Sequence, residues 1–205
     1  LSTDTKGDRN VAIGMGALQT QNFTTTIDSY NTAVGYDAGV SVTTGIQNTI
    51  VGGLAGGDLT DADYNVALGK SALSSDTLGS KSVAIGYAAL NTQNFTTATD
   101  SFNTAVGTLA GEAVTTGTGN TLVGGLTGDA LTVGNDNVAI GLNALSADTK
   151  GSGSVAIGNV ALQDQNFTTA TDAYNTAIGR SAGRDITTGI QNTIIGGLAG
   201  DALTD

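Results

Sequence analysis

One five-residue block recurs eleven times in the 205 residues: Asn or Ser, then Val or Thr, then Ala, Ile or Leu, then Ile, Val or Leu, then Gly. Its first residue falls at Asn10, Asn31, Asn48, Asn65, Ser82, Asn103, Asn120, Asn137, Ser154, Asn175 and Asn192. The spacing runs 21, 17, 17, 17 and then repeats, so four units make a super-period of 72 residues. Such a period marks a repeat architecture, in which one unit buries its apolar surface only by stacking on its neighbours. The chain therefore reads as a single repeat domain over 1–205, with super-repeats at about 10–81, 82–153 and, incomplete, 154–205.

Each block is short, rich in β-branched residues and closed by Gly, which predicts one short strand per unit. Seventeen or 21 residues leave no room for a packed helix, but suit one coil of a parallel β-solenoid. The fold class is therefore all-β, with about eleven coils; at about 4.8 Å each they would make a rod of roughly 50 Å. The corner residues are the Asn that opens and the Gly that closes each block, as in Asn31 and Gly35, Asn103 and Gly107, and Asn175 and Gly179. Stacked Asn side chains can hydrogen-bond from coil to coil, and Gly supplies a positive φ or a close backbone approach.

Side chains alternate across a strand. Thr176 and Ile178 share one face, and Ala177 takes the other. The middle position is Ala, Ile or Leu in every unit and is never polar. Strands apolar on both sides predict burial on both sides, one inside the coil and one against a second surface. A parallel homo-oligomer about a fibre axis supplies that surface; a broad monomeric solenoid is the alternative.

Composition narrows the function. There is no Cys, so no disulfide framework and no thiolate chemistry. No His is present, which removes His-based triads and dyads. A net charge of −11 argues against nucleic-acid phosphate as a partner. No apolar run approaches a membrane span. At 39% hydrophobic and 12% charged, the chain is too apolar for a disordered tail. Asp58, Asp61 and Asp63 invite a Ca²⁺ reading, yet the positions 72 residues on are Ala130, Val133 and Asn135, so no built-in metal or cofactor site is expected. Thr43-Thr44-Gly45 and its copies at Thr115 and Thr187 recur only every fourth coil, against an ice-binding array. No repeated acidic pair sits among strand positions, against a polysaccharide-cleaving enzyme. Asp4, Asp76 and Asp148 each precede a Thr-x-Gly corner and read as Asx-turn residues.

The 21-residue units carry a near-verbatim extension: Asn22-Phe23-Thr24-Thr25, Asn94-Phe95-Thr96-Thr97 and Asn166-Phe167-Thr168-Thr169. Each is followed by Asp28, Asp100 or Asp172 and then by Tyr30, Phe102 or Tyr174. One reading is a longer loop tied down by its own Phe. The other is a contact patch of aromatic, acidic and amide groups for glycan or a protein partner, since loops on rigid scaffolds carry function. The three Asn-Phe-Thr sequons would matter only in a eukaryotic secreted protein.

The blocks NVAIG, NTAVG, SVAIG and NTAIG resemble the β-roll repeats in the heads of trimeric autotransporter adhesins. The longer coils, as in NTAVGYDAGVSVTTGIQNTIVGGLAG, are more similar to the repetitive shafts of bacteriophage tail fibres. The resemblance covers essentially the whole chain. It implies a left-handed parallel β-roll wound as a homotrimer, with the strands facing the three-fold axis. It further implies an extracellular, non-enzymatic segment of a virion tail fibre that presents a receptor-binding tip, or, alternatively, a bacterial surface adhesin that binds glycan or matrix directly. The repeat motif is architectural and brings no catalytic residues with it. Leu1-Ser2-Thr3-Asp4 aligns with Leu73-Ser74-Ser75-Asp76 and Leu145-Ser146-Ala147-Asp148, so the chain is expected to begin in mid-coil, as a piece of a longer fibre.

Overall fold

The computed structural model describes residues 1 and 4–204. Of the amino-terminal segment aligned above, Ser2 and Thr3 lie outside the described residues, as does Asp205. The fold is an all-β parallel solenoid of about eleven turns, with no helix among the described residues. The chain divides into two compact units, Leu1–Phe102 and Asn103–Asp205.

In the first unit the recurring block forms β2 (Val11–Ile13), β4 (Thr32–Val34), β5 (Thr49–Val51), β6 (Val66–Leu68) and β8 (Val83–Ile85). In the second it forms β10 (Thr104–Val106), β11 (Thr121–Val123), β12 (Val138–Ile140), β14 (Val155–Ile157), β16 (Thr176–Ile178) and β17 (Thr193–Ile195). Within each unit successive strands pair in parallel and in register, so Ala33 lies beside Ile50 and Ala139 beside Ala156. Short strands precede six of the blocks and form three pairs: β1 (Gly7–Asp8) pairs with β3 (Ile27–Asp28), β7 (Gly79–Ser80) with β9 (Thr99–Asp100), and β13 (Gly151–Ser152) with β15 (Thr171–Asp172).

The strand's middle residue points into the coil. Ala33, Ile50, Ala67 and Ala84 in the first unit, and Ala105, Leu122, Ala139, Ala156 and Ala177 in the second, have no exposed surface. A second small residue, such as Ala38, Ala55, Ala144 or Ala161, lines the interior three residues after the Gly. The remaining volume is filled by one large aliphatic per coil, placed in one of two ways. Leu18, Leu73, Leu90, Leu145 and Leu162 fill it in coils whose later interior position is Gln or Asp. Where Leu is replaced by Gly, as at Gly39, Gly56, Gly111 and Gly128, the later position supplies Val42, Leu59, Val114 and Leu131. Close packing is thus kept with small residues, because volume lost in one column returns in the next.

The closing Gly is fixed by its neighbour. Gly35 has φ +142°, and a Cβ there would lie 2.6 Å from the carbonyl oxygen of Gly52 in the next coil. Gly124 is held the same way against the Gly141 oxygen at 2.5 Å. Other corners take left-handed φ without Gly. Tyr30, Gln47, Tyr64 and Lys81, each just before the opening Asn or Ser, have φ between 51° and 62°. Such conformations are sparsely populated for ordinary residues, and they persist where the stack over-determines them. Here the same corner recurs coil after coil.

The opening Asn residues form the coil-to-coil ladder that the sequence suggests. Asn31 Oδ1 accepts the Asn48 backbone N–H at 2.9 Å, Asn48 Oδ1 that of Asn65 at 2.9 Å, and Asn65 Oδ1 that of Ser82 at 2.8 Å. Each amide group donates within its own coil, Asn31 to Gly45 O at 2.7 Å and Asn48 to Ala62 O at 2.8 Å. In the second unit Asn103, Asn120 and Asn137 accept from the backbone of Asn120, Asn137 and Ser154 in turn. These side chains are fully or almost fully buried, and their polar atoms are hydrogen-bonded, as burial demands.

Candidate functional site

The three extended loops open from a shared local frame. β1–β3, β7–β9 and β13–β15 place Asp28, Asp100 and Asp172 at equivalent positions, opposite Asp8, Ser80 and Ser152. Within each loop the aromatics separate. Phe23, Phe95 and Phe167 are buried, each 6% exposed. They lie against Gly7, Gly79 and Gly151, where a Cβ would meet the Phe ring at 2.7, 2.7 and 2.9 Å. These rings anchor the loop and present no contact surface. Tyr30, Phe102 and Tyr174 are 46%, 60% and 56% exposed, and with Asp28, Asp100 and Asp172 they form the outward part of each copy.

Beneath each loop lies a polar network that the sequence reading did not assign. Asp148 is fully buried, although the sequence places it at a turn. Its Oδ1 accepts the backbone N–H groups of Lys150 at 3.2 Å and Gly151 at 2.9 Å, which is the expected Asx turn. The same oxygen accepts the N–H of Phe167 from the next coil at 3.2 Å. Its Oδ2 accepts Gln165 Nε2 at 2.6 Å, and that nitrogen also donates to Ser154 Oγ at 3.1 Å. Gln165 Oε1 accepts Asn175 Nδ2 at 2.7 Å. Asp76, Gln93 and Ser82 repeat the arrangement, with Asp76 accepting Gly79 N, Phe95 N and Gln93 Nε2 at 3.0, 3.0 and 2.6 Å. Asp4, more open, is held by Gly7 N and by Gln21. Burial works against its ionised form, but the hydrogen bonds from Gln21 and from the Gly7, Lys6 and Phe23 amides outweigh it and leave its carboxyl below the usual value. Asn175 keeps its place in the ladder through Gly189 O at 2.6 Å and the Asn192 N–H at 2.9 Å, and Gly179 lies against Gly196 O as Gly107 does against Gly124 O.

A Thr column runs through successive coils, closer set than Thr-Thr-Gly suggests. Thr43 Oγ1 donates to Thr60 O, Thr60 Oγ1 to Thr77 O, and Thr77 Oγ1 to Phe95 O, at 3.1, 3.0 and 2.8 Å. Thr115, Thr132 and Thr149 repeat the column in the second unit. These hydroxyls spend their protons inside the stack, so the column is structural.

In the Asp58, Asp61 and Asp63 cluster, Asp61 accepts Thr44 Oγ1 at 2.5 Å and Asp63 accepts the Ile46 N–H at 2.8 Å. Burial, with Asp61 and Asp100 nearby, pushes the Asp63 carboxyl upward against the opposing Ile46 bond. Among the described residues no group of three or more acidic, His or Cys side chains is arranged to hold a metal. Among the described residues there is no helix long and apolar enough to cross a membrane.

The other outward surface is the strand face itself. Val34, Val51, Leu68 and Ile85 in the first unit, and Val106, Val123, Ile140, Ile157 and Ile178 in the second, stand half-buried or exposed beside a row of Val and Thr. Leu68 is 44% exposed and Ile140 37%. The second apolar face expected from the sequence is therefore this outward one, and in the single chain it is uncovered. Against known proteins, no family model, no curated protein and no solved structure matches the chain.

Proposed function

We propose that this chain is a non-enzymatic structural segment of a homotrimeric fibre, of the bacteriophage tail-fibre shaft kind, working outside the cell to hold a receptor-binding tip away from the virion. The observation that carries the reading is the outward ladder of Val, Ile and Leu on one strand per coil. An apolar ladder repeated in coil after coil of each unit marks an interaction surface. Covering the exposed part of each such side chain is worth about 1 kcal/mol, and the ladder repeats once per coil. A parallel copy of the same chain offers the same period, so every coil can meet its equivalent about one axis. The left-handed roll and the three-fold number come from the family resemblance. The polar columns supply the mechanics: hydrogen bonds run from coil to coil, so load is carried by many bonds at once. Net negative charge keeps separate rods apart.

The exposed Asp and aromatic pairs of the three loops favour a second reading, a bacterial surface adhesin whose roll contacts glycan or matrix directly. Light scattering after size exclusion tests the shared assembly. The expected mass is three times 20.2 kDa, falling to a single chain in an Ile140→Asp, Ile157→Asp double variant. A mass near 20.2 kDa for the unaltered chain overturns the trimer. Binding of glycan arrays, lost in Tyr30→Ala, Phe102→Ala and Tyr174→Ala together, would mark the second reading.

A further inference from the structure

The three loop copies are not equivalent, and the difference in charge on their exposed Asp and aromatic pair comes down to one position. In the first copy Arg9, from the preceding coil, lies over the Tyr30 ring at 5.3 Å and pairs with Asp28 Oδ2 at 3.0 Å. The same guanidinium donates to the Tyr30 hydroxyl. In the second copy Lys81 lies over the Phe102 ring at 5.2 Å and pairs with Asp100 Oδ2 at 2.5 Å. In the third copy the corresponding position, 144 residues after Arg9, is Gly153. Its backbone is the same, with φ +71° against 63° at Arg9 and 62° at Lys81. Only the cation is missing. Asp172 and Tyr174 remain exposed, and among the described residues no cationic side chain is placed on either. The Tyr174 ring has settled over Gly153, where a Cβ would meet it at 2.8 Å.

We infer that the corner formed by Asp172, Tyr174 and Gly153 is a binding site for a guanidinium group, contributed by an arginine side chain of a protein partner. The molecule's own first two copies show what the site takes. Arg is matched with Tyr and Lys with Phe. A planar guanidinium fork can donate to a carboxylate and a phenol oxygen together, while an ammonium beside Phe makes the ion pair alone. The third copy carries Tyr, the guanidinium-matched acceptor set. The exposed ring face adds cation–π attraction, and a net charge of −11 draws cations toward it. The site stands whether the chain works singly or as three.

The test follows amide and tyrosine ring resonances of the full chain by NMR at low salt, during titration with N-acetyl-arginine amide and, separately, N-acetyl-lysine amide. Saturable shifts confined to residues 152–153 and 171–174 are expected, with arginine binding about threefold tighter than lysine. Gly153→Arg places the first copy's own side chain in the corner, at a φ that Arg9 already adopts, and should abolish the shifts. Asp172→Asn, at an exposed position that leaves the fold unaltered, should weaken binding about threefold. Shifts equally strong at Tyr30 and Phe102, shifts that survive Gly153→Arg, equal affinity for the two amides, or no saturable shift would each overturn the assignment.

Discussion

Replacing Asp148 by Asn changes one atom in a buried network whose hydrogen-bond directions are already fixed. Asn175 Nδ2 donates to Gln165 Oε1 at 2.7 Å, so the Gln165 amide cannot turn over without setting two NH₂ groups against each other. Its Nε2 must therefore face Asp148 Oδ2, at 2.6 Å. An NH₂ group in place of that oxygen sets donor against donor. Rotating the new amide instead points its NH₂ at the backbone N–H groups of Gly151 and Phe167. Either orientation loses a hydrogen bond and strands a buried donor, which together cost about 3 kcal/mol. For a chain of this length that is a fall of roughly 10 °C in Tm. The damage should also be local, because each coil leans on its neighbours. Hydrogen exchange at the Phe167 and Gly151 amides should quicken more than at amides of the first unit. Adding Gln165→Glu supplies an acceptor to both the introduced amide and Asn175, and should recover more than half of the loss, a coupling within the range for touching residues. A single variant as stable as the parent, or a double variant no better than the single, would refute the fixed-direction network.

Two further perturbations bear on the stack. Gly124→Ala puts a methyl group 2.5 Å from the Gly141 oxygen and 2.6 Å from Thr127 Oγ1 at φ +142°; the strain and overpacking should cost about 3 kcal/mol in denaturant unfolding. At Asp129, burial first and Glu112 second raise the carboxyl's pKa against its own backbone hydrogen bond, and one oxygen lacks a partner. A raised carboxyl disfavours the ionised folded state above its own pKa, and the loss disappears as pH falls through that value. Asp129→Asn should therefore raise Tm at pH 7 and lose that advantage in acid, as scans at two pH values would show.

The strand period, the parallel stack and the Asn ladder were legible because the block is stated eleven times over, nine times with Asn at its head, in residue types whose chemistry has few alternatives. A run such as Asn-Val-Ala-Ile-Gly can alternate only one way, although which face turned inward was open until Ala33 and Ala139 were seen inside the coil. The loops were less legible. Phe23 and Tyr30 look alike as aromatic contacts, and what separates them is Gly7, which lets the Phe ring lie flat on the preceding coil. The Asp76–Gln93 and Asp148–Gln165 pairs escaped notice because their partners are 17 residues apart and belong to different coils. Aligning units by column would have found them: Gln or Asp appears at that column only when Leu, not Gly, stands three residues before it, as in Leu18 with Gln21 against Gly39 with Val42. The non-Gly corners at Tyr64, Lys81 and Asp136 carry no sequence signal for positive φ, since the stack and not the residue imposes it.

A repeat of this kind contains its own controls. Where the fold needs a side chain, the columns barely vary: the closing Gly, the opening Asn or Ser, the inward Ala. Where the fold needs only backbone, the residues change freely from coil to coil. The corner before the opening residue is such a place, reading Arg9, Tyr30, Gln47, Tyr64, Lys81 and Phe102 in the first unit and Gly119, Asp136, Gly153, Tyr174 and Gln191 in the second. All share one left-handed backbone conformation, so identity there is set by something other than conformational demand. The stack thus separates architecture from surface chemistry residue by residue. Any partner that reads this chain has only the outward columns to read, because the inward ones are already committed to holding the next coil.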